Sequence, residues 1–222
     1  MRKTVSAPCA SRQYKLTSVS SFELLLVLLT AALPCFAQGT VPDVELPETP
    51  GLYAFIETSM GRIVALLYDD VAPITVQNFV DLARGTKATR DKKGNLVRKP
   101  YFDGLTFHRI IKGFMIQTGD VKGTGAGDCG IPNIRDEISK KLSFDNPGTL
   151  GMANTGTANS GSCQFFITVG RASYLDGKHT IFGQVVLGQE VAVAISLIPT
   201  TGSENRPRTA VLVKSVTIHS KP

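Results

Sequence analysis

Few residues in this chain could carry chemistry, and they fall in two stretches. The first is Phe107-His108-Arg109-Ile110-Ile111-Lys112-Gly113-Phe114-Met115-Ile116-Gln117-Thr118-Gly119-Asp120, and the second is Gly161-Ser162-Cys163-Gln164-Phe165-Phe166-Ile167-Thr168. Cys163 with His108 or His179 would make a thiol or metal enzyme. The chain holds only three histidines, none at a metal-ligand spacing, and no base evidently orients the thiol, so that chemistry is disfavoured. Gly123-Thr124-Gly125-Ala126-Gly127 looks like a phosphate cradle but lacks the Lys-Ser/Thr ending and a following helix, which argues against nucleotide binding. Arg109 remains. A guanidinium among so many apolar neighbours needs partners to offset its desolvation. On its own it is either a side chain snorkelling from a barrel rim or a positioned donor.

The elements that must hold these residues are mostly strands. Phe107, Arg109 and Ile111 alternate with His108 and Ile110, which is the period of a strand with Phe107 and Arg109 on one face. After Lys112-Gly113, Met115, Gln117 and Gly119 alternate with Phe114, Ile116 and Thr118, so two short strands around a glycine bring Arg109, Phe114, Met115 and Gln117 together. Upstream, residues 52–58 and 61–68 read as a hairpin turning at Thr58-Ser59-Met60-Gly61. Val76, Phe79, Val80 and Ala83 recur at helical spacing, with Pro73 in the first turn and Gly85 as the stop. Residues 86–100 are a polar excursion around Gly94-Asn95, a hairpin or loop. Strands are expected at 148–153, 164–169, 180–187 and 209–219, and a second helix over 189–197. A mainly β protein with many short antiparallel strands and two α-helices suggests a closed barrel, which leaves no exposed sheet edge.

Composition sets the bounds. The 222 residues are 42% hydrophobic and 19% charged, which suits one compact domain. The formal charge of +6 is half leader: residues 1–37 carry four basic residues and one acid. The rest holds 20 basic and 17 acidic residues without a basic block, a weak basis for binding nucleic acid. The leader itself reads as a signal peptide over residues 1–37. Basic residues precede an apolar run over 24–33, too short to span a bilayer, and small residues at Cys35 and Ala37 fit cleavage after Ala37. Pro34 spoils a lipid-attachment site at Cys35, so no stable membrane anchor is expected. The chain is expected to be exported, periplasmic or secreted. An exposed, proline-containing linker over 38–50 would join the leader to a domain over 51–220.

Phe107–Asp120 resembles the central signature of the cyclophilins. Met152-Ala153-Asn154 followed by Gln164-Phe165-Phe166-Ile167 resembles their second, and Leu175-Asp176-Gly177-Lys178-His179-Thr180-Ile181-Phe182-Gly183 their third. The likeness runs from about Tyr53 to His219, in the family's order, and marks an exported, bacterial-like form. It implies a closed eight-stranded barrel capped by two helices and a peptidyl-prolyl cis-trans isomerase working without metal or cofactor on proline-containing polypeptides. Arg109, Phe114 and Gln117 then match the catalytic positions. Phe114, Met115, Phe166 and Leu175 match the apolar slot for the proline ring. Gln117, Asn154 and Gln164 match the groups that meet the peptide backbone, beside Ala153, and His179 lines the same pocket.

The resemblance carries further expectations. In cyclophilins the loops bearing Cys129 and Cys163 border one groove, so these two cysteines, the pair left after the leader, either bridge in an oxidising compartment or stay as two separate thiols. The family's common tryptophan is Tyr174 here, and the chain has no Trp. Tyrosine keeps an aromatic face without the indole donor, which implies isomerase activity with weak cyclosporin binding. Residues 155–163 are one residue longer than in the familiar animal forms, so the pocket beside the proline site is left open. A rival class is a binding module or holdase chaperone that kept the fold and lost catalysis. Degenerate members usually lose the arginine or the phenylalanine, and Arg109, Phe114 and Gln117 are all present. A monomer is the default for a single barrel.

Overall fold

The computed structural model describes residues 49–222, so the leader and most of the 38–50 linker lie outside it. The hairpin comes first, as β1 (Gly51–Thr58) and β2 (Gly61–Leu67). Thr58 staples its turn: the hydroxyl donates to Gly61 O at 2.7 Å and accepts from Met60 N at 3.0 Å. Helix α1 (Pro73–Arg84) follows, and Gly85 closes it in the left-handed region at φ 70°, where a side chain would be strained. Its N-terminus is capped from far away. The Glu137 carboxylate accepts from Ile74 N at 3.1 Å and Thr75 N at 2.8 Å, placing a negative charge at the positive end of the helix.

The polar excursion is a small hairpin, β3 (Thr89–Arg90) with β4 (Leu96–Val97). Next come β5 (Arg109–Ile111), β6 (Met115–Thr118), β7 (Thr149–Met152) and β8 (Phe165–Thr168). A single 3-10 turn, Ser173–Leu175, precedes β9 (Ile181–Leu187) and helix α2 (Gln189–Ser196). A second small hairpin, β10 (Thr200–Thr201) with β11 (Arg206–Pro207), leads into the long β12 (Val213–Lys221). Neither the 3-10 turn nor this second hairpin is anticipated by sequence pattern.

Eight strands form one antiparallel sheet in the order β12-β1-β2-β9-β7-β8-β6-β5. Its concave side holds the main core. Phe79 of α1 meets Phe102, Phe165 and Phe182 with ring centroids 5.0, 5.2 and 5.4 Å apart, and Ala192 and Ile195 of α2 join the same cluster. Aromatic rings that fill the space between helix and sheet anchor most of the burial.

The sheet curls but does not close, which corrects the expectation of a closed barrel. The two end strands, β12 and β5, share no ladder. What spans the gap is irregular: Phe107 N donates to Val211 O at 3.0 Å, Val213 N to Leu105 O at 2.8 Å, and Thr106 bridges Leu212. The outer edge of β5 is taken instead by the β10–β11 turn, where Asn205 O accepts from Ile110 N at 2.9 Å. A second correction follows from the same irregularity. Phe107 and His108 precede β5, so the alternation read from the sequence breaks there, and Phe107 lies in the main core with Ile110 rather than beside Arg109.

Candidate functional site

Strand register builds the site. Arg109 of β5 sits opposite Gln117 of β6, Gln117 opposite Phe166 of β8, and Phe166 opposite Gly151 of β7. One row across four strands therefore carries a cation, an amide, an aromatic ring and no side chain at all. The absence matters, because a Cβ on Gly151 would come within 2.3 Å of the Phe166 ring. The tip of the ring sits over the glycine, and the ring stacks on Phe144, centroids 5.6 Å apart. Two residues along β6, Met115 points to the same face as Gln117, and Phe114, Ala153 and Leu175 pack on the cluster that Met115 and Phe166 form. An apolar slot thus lies directly beside a guanidinium.

Hydrogen bonds fix the polar members. Arg109 Nη1 donates to Gln117 Oε1 at 3.1 Å, Gln117 Nε2 to Gln164 Oε1 at 3.0 Å, and Gln164 Nε2 to Gly125 O at 3.0 Å. This relay orients both amides and leaves most of the Arg109 donors free, since no carboxylate pairs with it among the described residues. His179 Nδ1 donates to Met152 O at 2.9 Å, and its ring meets Phe166 edge-on with centroids 5.4 Å apart. Asn154 Nδ2 donates to Lys178 O at 2.9 Å.

These groups line a groove of about 580 Å³. Arg109, Phe114, Met115, Gln117, Ala153, Asn154, Phe166, Tyr174, Leu175 and His179 all face it. Gln164 lies instead in an adjoining hollow of about 540 Å³, which shares Gln117, Ala153 and Asn154 with the groove. The groove also has members the sequence reading did not name as site residues: His108, Thr124, Gly125, Ala126, Gly156, Glu204 and Arg206. The glycine-rich loop had a visible signal in its composition. Glu204 and Arg206 had none, because nothing in the chain around them marks a hairpin that folds back onto β5.

The glycine-rich loop binds an anion after all, and the anion is its own. Asp120 is buried and accepts from the backbone N–H groups of Lys122, Thr124, Gly125 and Gly127 at 2.8, 2.8, 2.6 and 3.2 Å. A Cβ on Gly127 would overlap the carboxylate. Burial alone would raise the Asp120 pKa, but the backbone donors outweigh it and hold the group below the usual carboxylate range. With its donors spent inside, the loop forms one wall of the groove. Beyond it, Cys129 and Cys163 are joined by a disulfide with Cα atoms 6.6 Å apart.

His108 lies under this loop, 5% exposed, with neither ring nitrogen hydrogen-bonded. Burial is the largest influence and pushes its pKa below the ordinary 6.5; Asp120 and the nearby Gln164 side chain oppose that, while Arg109 and Arg206 reinforce it. The folded protein therefore resists a proton that the unfolded chain accepts. Stability from this group is present above pH 6.5 and is lost as pH falls below that value toward the depressed folded pKa. Thermal melts between pH 7.5 and 5 should show the midpoint falling from about pH 6.5 downward. His108→Gln should flatten that decline, and an unchanged slope in the variant would remove His108 as its source.

Residues 53–218 match the family model described as cyclophilin type peptidyl-prolyl cis-trans isomerase/CLD. Peptidyl-prolyl cis-trans isomerase A of Mycobacterium tuberculosis is 46% identical over 169 residues, 74% of this chain and 91% of that protein. Peptidyl-prolyl cis-trans isomerase B of Streptomyces anulatus is 42% identical over 173 residues, 77% of this chain and 98% of that protein. Among solved structures, a Cryptosporidium parvum cyclophilin type peptidyl-prolyl cis-trans isomerase, crystallised in the presence of the dipeptide Ala-Pro, superposes with a TM-score of 0.66 at 30% identity, covering 76% of this chain and 99% of its own. The curled eight-stranded sheet and the two helices are thus those of a known family, and the chain belongs to the cyclophilin-type peptidyl-prolyl cis-trans isomerases.

Proposed function

We propose that the chain catalyses rotation about Xaa-Pro peptide bonds in exported proteins, assisting their folding, and that Arg109 is the catalytic cation. The observation that carries this reading is the row Arg109–Gln117–Phe166, which sets a largely unpaired guanidinium beside an apolar slot. Uncatalysed Xaa-Pro rotation takes tens to hundreds of seconds over a barrier of about 18–20 kcal/mol, and amide resonance is the source of that barrier. No bond to a nucleophile is needed. A catalyst has only to bind the twisted amide better than either planar form.

In the twisted state the proline nitrogen turns pyramidal and regains its lone pair. Phe114, Met115, Phe166 and Leu175 would hold the pyrrolidine ring while Arg109 donates to that lone pair and discourages the return of resonance. Gln117, fixed by Arg109 on one side and Gln164 on the other, and Asn154 would meet the substrate backbone. Turnover in milliseconds asks for roughly 10⁴–10⁵ in rate, about 5.5–7 kcal/mol. A preorganised charge in a partly water-excluded groove supplies several of these. The test is a cis-to-trans assay on a short Xaa-Pro peptide with the full chain. Clear acceleration is expected, and none would overturn the reading in favour of a proline-peptide binding module.

Two features support the exported part of the reading. The leader over residues 1–37 has the layout of a cleaved signal, and the Cys129–Cys163 disulfide suits an oxidising compartment. Among the described residues no helix is long and apolar enough to cross a membrane. Detection of a mature N-terminus near Gln38 in the exported fraction is the expected result; a full-length cytosolic protein would count against it.

Tyr174 bears on inhibition. It is 59% exposed and tilts against Phe114, centroids 5.5 Å apart, so it walls the groove with an aromatic face and no indole N–H. Cyclosporin at concentrations that silence a tryptophan-bearing cyclophilin should leave most of the activity here. Tyr174→Trp should restore sensitivity by several-fold, up to about tenfold, the worth of one hydrogen bond at a solvent-exposed wall. Tight inhibition of the unmodified enzyme would sink the argument.

A further inference from the structure

The groove contains a second arginine for which the isomerase chemistry has no use. Arg206 lies on β11, in the hairpin that Asn205 O pins to the edge of β5 next to Arg109. Its side chain is exposed, lines the groove, and makes one long bond, Nη2 to Thr124 O at 3.4 Å on the glycine-rich loop. Neither Arg206 nor Arg109 pairs with a carboxylate among the described residues. The one acid on the lining, Glu204, accepts from Ser203 Oγ at 3.5 Å and forms no ion pair among the described residues. The Asp120 carboxylate is enclosed by backbone donors and is not on the lining. Away from this hairpin, Ala153, Asn154 and Gly156 present no charge. The groove is therefore polarised, with a guanidinium fork standing free at one side of it.

We propose that Arg206 is a specificity-determining residue that reads an acidic side chain, Asp or Glu, on the substrate segment flanking the proline where it runs past the β10–β11 hairpin. This rests on the reading of the groove as a proline-peptide site. Guanidinium suits the task, because its planar fork can meet a carboxylate through two parallel hydrogen bonds. An exposed pair of this kind is worth a few-fold in affinity rather than orders of magnitude. It acts on substrate capture, so it belongs in KM more than in kcat.

The test is a set of Xaa-Pro peptides with Glu, Gln or Lys placed in turn at each of the three positions on either side of the proline. For each position the ratio of kcat/KM for the Glu peptide to that for the Gln peptide is measured at low salt. The wild type should show a ratio of about 3 to 5 at one position, carried in KM and falling toward 1 in 1 M NaCl. Arg206→Gln should bring that ratio to about 1, whatever its absolute rate. Arg206→Glu should reverse the order so that the Lys peptide is preferred, which a role confined to tying down the Thr124 loop would not do. Equal Glu and Gln peptides in the wild type, or a preference that survives both variants, would overturn the proposal. Affinities of the same peptides, labelled and followed by fluorescence anisotropy, test Arg206 even if no peptide is isomerised; that last result would overturn the isomerase reading instead.

Discussion

Arg109→Ala should lower kcat/KM for a short Xaa-Pro peptide by about two orders of magnitude while leaving the fold intact. The size follows from removing one preorganised donor from a transition-state site, typically 10²–10³ or about 2.7–4 kcal/mol. The fold should survive because Arg109 is half-buried and its one hydrogen-bond partner, Gln117, keeps its bond to Gln164. Most of the loss should appear in kcat, since the donor is useful only when the proline nitrogen becomes pyramidal. Arg109→Lys is the sharper variant. It keeps the charge but loses the rigid fork, so it should recover only a small part of the rate. A melting temperature equal to wild type with activity within threefold of it in Arg109→Ala would discard the electrostatic mechanism and keep the enzyme.

Replacing both Cys129 and Cys163 by serine should lower the melting temperature by roughly 7–15 °C. The disulfide closes 34 residues of sequence separation, and chain-entropy reasoning for such a loop gives about 3.5–4 kcal/mol. For a domain of this size each kcal/mol moves the midpoint by about 2–4 °C. Both half-cystines are almost fully buried, 2% and 3% exposed, so a reductant should act slowly on the native protein and quickly once it is warmed. Calorimetry of the double variant and of the wild type unfolded in reductant should agree. A shift under 2 °C in both would mean that the two loops are held by their other contacts alone.

Where pattern is local, the sequence is a good guide to this structure. The β1–β2 hairpin and α1 are written in neighbouring residues: a two-residue turn, a proline at the start, a left-handed glycine at the end. Met115 and Gln117 share a face because a strand alternates, and that much of the site is visible from spacing alone. What escapes is set at a distance. The acid that caps α1 is Glu137, more than fifty residues further along the chain. Phe107 turns into the core because β5 starts two residues later, once Ile110 has found Asn205 as a partner. Arg206 reaches the groove only through that same contact, so no window of sequence around it could reveal its place. The family resemblance supplied part of the groove's membership, without His108, the glycine-rich loop or the β10–β11 residues; the strand register shows why Arg109, Gln117 and Phe166 meet.

The row of Arg109, Gln117, Phe166 and Gly151 crosses four hydrogen-bonded strands, and this has a consequence for how the enzyme should fail. A site made of lids loses its shape by local opening, well before the protein melts. Here the backbone beneath Gln117, Phe166 and Gly151 is the ladder itself, inside the sheet, so its amide protons should exchange by a largely global route, in step with the core. Heat should then leave the enzyme no partly disabled intermediate: activity and tertiary structure should vanish in a single cooperative event.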